Sequence, residues 1–241
     1  MVLSKFKDFS NRKLRPIAKK IGLTPNKITI IGFCFSILSL ILLLLGAYIP
    51  SYFSLPYGDF FKSHMLFWAG LAVIISGVFD ALDGVIAREK GLVSKFGAFL
   101  DSVLDRYSDS VILLGIIILG VCDPCLGILA LIGSLIVSYS RARAESEGSK
   151  KMSSIGIAER AERMLILSFS MMIQGGFWGL SLLGITNMIV EWIAHWFLYI
   201  ITIPLLVFLT HFTVIQRIWF AYNELKTNQN DDEMPDENEN V

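Results

Sequence analysis

A chain of 241 residues with 54% hydrophobic residues and a mean hydropathy of +0.61 is too apolar for a soluble globule. Its apolar runs each reach the roughly 20 residues that a helix needs to cross a hydrocarbon core, which predicts an all-α integral membrane protein. Three cysteines are too few for a disulfide framework, and 21 Lys and Arg against 21 Asp and Glu give a net charge that says nothing about partners.

In chain order, residues 4 to 20 are basic with Phe6, Phe9, Leu14, Ile17 and Ala18 interleaved, the pattern of an amphipathic helix lying on the cytoplasmic leaflet. A merely solvated basic flank is the alternative. Six membrane spans are predicted at about 28 to 49, 64 to 88, 95 to 121, 124 to 144, 160 to 181 and 190 to 217. The first run follows too many basic residues for a cleaved signal peptide and is expected to stay as a helix. A membrane domain over residues 1–225 is then followed by an acidic, polar tail, 226–241, expected to be disordered.

Charge distribution sets the orientation. Eight of the 21 basic residues precede the first span (Lys5, Lys7, Arg12, Lys13, Arg15, Lys19, Lys20 and Lys27). Nearly all the others flank the second-to-third turn, the fourth-to-fifth loop and the C-terminal end, and only Lys62 falls on the opposite side. The positive-inside rule then puts both termini in the cytoplasm of a multi-pass cell-membrane protein. Trp178, Trp192 and Trp196 are expected in the outer aromatic belt, with Trp219 and Tyr222 in the inner one. Cys122 and Cys125 sit in a short external turn as two incidental thiols or a local disulfide. Neither a second Cys pair nor a nearby His is present to complete a zinc site. His64, His195 and His211 are scattered, which suits packing better than catalysis.

The aspartates stand out. Asp80 and Asp83 are spaced i, i+3 and Asp101 and Asp105 i, i+4, at the cytoplasmic ends of spans two and three, which a short turn makes antiparallel neighbours. Ionised carboxylates in a membrane segment are costly and mark a functional site by default. Four converging on one point need cations among them, and all-oxygen ligands suit Mg²⁺ or Mn²⁺. Gly84 and Gly97 let helices and a ligand approach closely, and Arg88 offers a fork for phosphate oxygens. A divalent-cation transporter would also carry intramembrane carboxylates, but near mid-membrane and with repeat symmetry rather than at one edge beside arginines.

Asp80-x2-Asp83-Gly84-x2-Ala87-Arg88-x8-Gly97-x3-Asp101-x3-Asp105 resembles the signature of the CDP-alcohol phosphatidyltransferase family at every specified position. The Thr24-Pro25-Asn26 start of the first span, the basic N-terminal segment and the six-helix layout extend the resemblance over most of the chain. It implies transfer of a phosphatidyl-type group from a CDP-linked lipid to an alcohol with release of CMP, at a site with two Mg²⁺ or Mn²⁺ ions. Asp80, Asp83 and Asp101 would hold the metals, with Asp105 shared between metal binding and the role of general base. Gly84, Ala87 and Arg88 would contact the CDP moiety, joined by Asn26, while Thr24 and Pro25 are expected to start the first helix. Arg106 and Asp109, next along the third span, suit support of the site or a helix–helix salt bridge. The resemblance also implies a homodimer in the bilayer, and no nucleic-acid partner is expected.

Arginines collect at the same rim. Span four ends in Ser138-Tyr139-Ser140-Arg141-Ala142-Arg143-Ala144-Glu145, span five opens with Glu159-Arg160-Ala161-Glu162-Arg163, and span six closes on Gln216-Arg217. Positive-inside flanking and intrahelical pairs such as Glu159 with Arg163 account for some of them. The segments are similar to those of the family's inositol 1-phosphate subgroup, the archaetidylinositol and phosphatidylinositol phosphate synthases. That resemblance makes Arg141, Arg160 and Arg217 the acceptor-phosphate residues, with Arg163 the alternative to Arg160, and 1L-myo-inositol 1-phosphate the acceptor. The Gly156–Arg163 segment favours CDP-archaeol over CDP-diacylglycerol as donor. Glycerol 3-phosphate, free inositol and serine remain as alternative acceptors.

Overall fold

The computed structural model describes residues 15, 16, 18, 21–52, 57–149, 152, 155–157, 159–184 and 187–232, and among these every regular element is helical. Seven α-helices follow one another: α1 (Pro25–Tyr48), α2 (Tyr57–Glu89), α3 (Lys95–Leu119), α4 (Pro124–Ser146), α5 (Arg160–Leu182), α6 (Met188–Trp196) and α7 (Ile203–Asp232). Four stretches, Pro25–Tyr48, Gly58–Glu89, Pro124–Ser146 and Phe197–Lys226, are long and apolar enough to cross a membrane. The other two expected spans are α3 and α5, helices of 25 and 23 residues that carry much of the charge discussed below. Most of the expected surface helix over 4 to 20 lies outside the described residues.

Local chemistry explains most helix ends. Pro25 opens α1, where its missing N–H costs nothing, but the Thr24 hydroxyl makes no capping bond. The Lys27 and Ile28 amides bond to the Thr24 carbonyl instead. Gly91, at φ +65°, takes the left-handed conformation that ends α2, and the Leu92 amide returns to the Ala87 carbonyl. Ser94 then caps α3 by accepting from the Gly97 amide at 3.0 Å. Asp123 does the same for α4 through the Leu126 amide, with Pro124 at the first position.

Three expected boundaries change. The helix expected as the second span begins at Tyr57 rather than 64, and at 33 residues α2 is about 50 Å long, more than a hydrocarbon core requires. The single helix expected over 190 to 217 is broken: α6 passes through a π-turn at Phe197–Thr202 into α7. Pro204 supplies a reason, since it cannot donate to the helical ladder and its ring crowds the preceding turn. The Ile203 amide bonds to Leu198 O, while the Leu198 amide is taken by the Gln174 Oε1 on α5 at 2.7 Å. The expected disordered tail from 226 also begins too early, because α7 continues to Asp232. No Gly or Pro interrupts that stretch before Pro235.

Packing sets the site's frame. α1 lies along α2 and α3, α2 also packs on α5, and α4 pairs with α7. The core gathers Leu43, Leu66, Ile112, Ile116, Leu167, Met171 and Leu198 from five of these elements. Ser36 on α1 and Ser76 on α2 share a buried hydrogen bond of 2.8 Å one turn below Asp80. At Gly175 a Cβ would stand 2.7 Å from Phe67 N and Ser63 O, so α5 meets the backbone of α2 there. A methyl group at that crossing would push the two helices apart, at roughly 1–3 kcal/mol for overpacking.

The flanking residues depart from expectation at one tryptophan. Trp192, Trp196, Trp219 and Tyr222 are exposed on the bundle surface, as interfacial anchors would be, but Trp178 is only 8% exposed. It turns inward because the Lys62 Nζ lies 5.6 Å from its ring centroid and His195 packs on it. Each histidine Nδ1 bonds to the carbonyl four residues back, a packing role. Cys122 is buried and Cys125 exposed, both as free thiols.

Candidate active site

α2 and α3 are expected as packed neighbours, but each docks on α1 rather than closely on the other; that shared docking and the turn at Gly91 bring Asp80, Asp101 and Asp105 together. One carboxylate oxygen from each lies within 4.8 Å of the others, all partly buried. Asp83 does not join this trio. Residues three apart on a helix differ by about 60° in direction against about 40° for four apart, so Asp83 turns away from Asp80 more than Asp105 does from Asp101. Asp83 is 6% exposed and contacts the Thr29 hydroxyl of α1. The sequence reading missed Thr29, although its position three residues after Asn26 puts both on one face of α1.

Two oxygens in this region, Asp83 Oδ2 and Asp101 Oδ1, are buried without a hydrogen-bond partner. Buried carboxylate oxygens rarely stay orphaned, and here they sit among like charges. That donor set, hard and all-oxygen, fits a divalent cation of the Mg²⁺ or Mn²⁺ kind.

Arg160, the first residue of α5, supplies positive charge to the cluster. Its Nη1 lies 2.7 Å from Asp105 Oδ1 and 3.1 Å from Asp80 Oδ1, while its Nε donates to Asp109 Oδ1 at 3.0 Å. Asp109 also faces Arg163 Nη2 at 3.4 Å, so Asp109 makes a helix–helix salt bridge between α3 and α5. The Glu159 amide is taken by Glu162 Oε2 at 2.9 Å, which fixes the start of α5 and the direction in which Arg160 leaves it. Arg106 turns to the Ser102 carbonyl, and its Nη1 is 4.0 Å from Asp105 Oδ2.

The motif glycines lie at the edges of this cluster. A Cβ on Gly84 would stand 3.3 Å from Arg88 Nη1, so the guanidinium folds back over the glycine one turn away. A Cβ on Gly97 would meet Asn26 Oδ1 at 3.1 Å and Ser94 Oγ at 3.0 Å. Arg88 with Gly84, and Asn26 with Gly97, thus form two small polar notches at the ends of α2 and α3, with Ala87 half-buried beside the first.

The acceptor arginines separate in their surroundings. Arg160 is in the carboxylate cluster itself. Arg141 is exposed and paired with Glu145 at 2.9 Å, the intrahelical pairing that accounts for its charge without a ligand. Arg217 is 5% exposed, with Nε donating to Ile155 O at 3.0 Å and Nη1 to Val137 O, so it clamps the chain after α4 onto α7. Arg141 and Arg163 lie within electrostatic reach of Arg217, as do Glu145 and Glu159, so charges of both signs meet between α4, α5 and α7.

Known proteins match this arrangement. The family model for CDP-alcohol phosphatidyltransferase matches residues 22–204. An archaetidylinositol phosphate synthase of Pyrococcus horikoshii is 41% identical over 169 residues, which is 69% of this chain and 80% of the relative. One from Methanothermobacter thermautotrophicus is 34% identical over 226 residues, 93% of this chain and 96% of the relative. A crystal structure of Mycobacterium tuberculosis phosphatidylinositol phosphate synthase with CDP-DAG bound aligns at a TM-score of 0.64 and 28% identity, over 88% of this chain and 94% of that one. The same enzyme in complex with manganese and citrate aligns at 0.65 and 28%, over 87% and 88%. A model match across most of the chain, with the motif carboxylates gathered in space, shows that the chain is an enzyme of the CDP-alcohol phosphatidyltransferase family.

Proposed function

We propose that the protein joins a CDP-linked lipid to inositol 1-phosphate and releases CMP, and that CDP-archaeol is its donor. The gathering of Asp80, Asp101 and Asp105 beside Arg160 carries this reading. The names of its archaeal relatives support the choice of acceptor and donor lipid.

In this reading Asp80, Asp101 and Asp105, with Asp83 beside them, hold two divalent cations. Bound there, such ions would neutralise the diphosphate and the charge that develops on departing CMP. Arg88 with Gly84 and Ala87, and Asn26 across the groove, hold the nucleotide end. The Asp105 carboxylate takes the proton of the acceptor hydroxyl as that oxygen bonds to the lipid-side phosphorus and the bond to CMP breaks. Arg160, Arg141 and Arg217 meet the acceptor phosphate from the α5, α4 and α7 sides. Holding both substrates in line supplies much of the remaining acceleration.

The membrane reading has six spans, α1 to α5 and the broken α6–α7 unit, with both termini and the site cytoplasmic and two copies forming a homodimer. Asp80 lies about 24 Å along α2 from residue 64, toward its Arg88–Glu89 end, which supports a site near one rim of a hydrocarbon core of roughly 30 Å. An impermeant maleimide should label Cys125 on intact cells. Labelling of Cys125 only after permeabilisation would reverse the orientation.

Crossing CDP-archaeol and CDP-diacylglycerol with inositol 1-phosphate, glycerol 3-phosphate, inositol and serine, with products read by mass, tests the substrates. The expected product is archaetidylinositol phosphate. Turnover with serine or free inositol but not inositol 1-phosphate would overturn the acceptor assignment.

A further inference from the structure

Asp109 is a buried carboxylate that the chemistry above leaves unused. It lies one turn beyond Asp105 on α3 and is 3% exposed. Both its oxygens are engaged, Oδ1 by Arg160 Nε at 3.0 Å and Oδ2 by Arg163 Nη2 at 3.4 Å. The plain reading is a counter-ion for Arg163, which is 1% exposed and needs one.

The other end of Arg160 suggests more. Its Nη1 rests on Asp80 Oδ1 and Asp105 Oδ1, two of the residues whose oxygens form the cation-type cluster. A guanidinium and a divalent cation cannot share those oxygens without strong repulsion. The Nε is held by Asp109, which is not one of the three clustered carboxylates. An arginine pinned at Nε can swing its Nη end off the carboxylates and still stay at their α5 edge. A lysine, with one point charge on a flexible stem, could not be held at one end and act at the other.

We propose that Asp109 is a positioning residue: it tethers Arg160, which neutralises Asp80 and Asp105 when they carry no cation and turns to the acceptor phosphate when they do. This rests on the acceptor reading above for its second half only. The first half concerns cation binding and stands without any substrate.

A double-mutant cycle on the full-length protein tests it, with Asp109→Asn, Arg160→Gln and the pair. Mn²⁺ binding without substrates is followed by electron paramagnetic resonance, and KM is measured for inositol 1-phosphate and for the CDP-lipid. Untethered, Arg160 should settle on the carboxylates, so Asp109→Asn should weaken Mn²⁺ binding about fivefold, an effect that shrinks to less than about twofold in the Arg160→Gln background. The same change should raise KM for the acceptor about tenfold and leave KM for the CDP-lipid within about twofold.

Equal weakening of Mn²⁺ binding with and without the Arg160 side chain would overturn the proposal, because Asp109 would then act only through its own charge. Should Asp109→Asn fail to fold, Arg160→Lys keeps the cation and removes the tethered Nε. It should weaken Mn²⁺ binding and raise the acceptor KM alike, and wild-type values for both would equally overturn the proposal. A wild-type protein that uses no phosphorylated acceptor would defeat the acceptor reading alone, since the Mn²⁺ cycle still decides the tether.

Discussion

Asp105→Asn should lower turnover by about 10²–10⁴-fold, the contribution of a positioned general base, while the protein still folds and binds the CDP-lipid. The substitution keeps the shape of the side chain and removes its capacity to accept a proton. Asp105 is suited to that role by place. It is the last motif carboxylate on α3, and its Oδ1 meets Arg160 Nη1 at 2.7 Å, so it stands on the side from which a phosphorylated acceptor would enter. Asp80 lies one turn before Gly84 on α2, and so stands toward the notch proposed for the nucleotide end. CMP release measured chromatographically gives turnover, and binding of a non-reactive CDP-lipid analogue gives affinity. Full turnover in Asp105→Asn would remove the base assignment. Equal loss of turnover and of CDP-lipid affinity would make Asp105 a cation ligand and nothing more.

Chelation should abolish CMP release, and Mg²⁺ or Mn²⁺ should restore it. The same ions should raise the unfolding midpoint, since a ligand present at about 100 times its Kd stabilises the folded state by about 2.7 kcal/mol if it does not bind the unfolded chain. The physical cause is the charge balance of the cluster. Asp80, Asp101 and Asp105 come within 4.8 Å of one another, and Arg160 contacts only Asp80 and Asp105 among them. Asp101 keeps a buried, unpartnered oxygen. Asp101→Asn should therefore lose most of the cation-dependent rise in thermal unfolding midpoint while raising the stability of the cation-free protein, because one like charge has gone. A midpoint indifferent to Mn²⁺ in the wild type, with activity retained in chelator, would sink the metal-site reading.

Several features were legible along the chain because they depend on near neighbours. The i, i+4 spacing of Asp101 and Asp105 puts both on one helix face, and the short turn reverses the chain after α2, although α3 then docks on α1 rather than on α2. Pro25 and Ser94 mark helix starts through backbone chemistry that operates within four residues. The break in the last helix does not show along the chain: its apolar run reads as continuous over 190 to 217, and only the structure shows the π-turn at Phe197–Thr202 before Pro204. Trp178 was not legible: a tryptophan near a helix end suits an interface, and only the position of Lys62 and His195 in space turns it inward.

The sequence by itself determined the class of chemistry. Carboxylates, glycines and Arg88 at fixed spacings on two consecutive helices are local geometry, and the family match over residues 22–204 spans them. Tertiary structure decided which groups meet. Asp83 faces Thr29 while Asp80, Asp101 and Asp105 converge, because the rotation of α2 and of α3 against α1 comes from side-chain packing. Arg160 is separated from Asp80 by 80 residues and yet lies 3.1 Å away, since α5 packs tightly on α2 and Asp109 holds the guanidinium in place. Spacing along a helix fixes direction about one axis, and only the docking of several axes brings a charge on one helix to the charges of another.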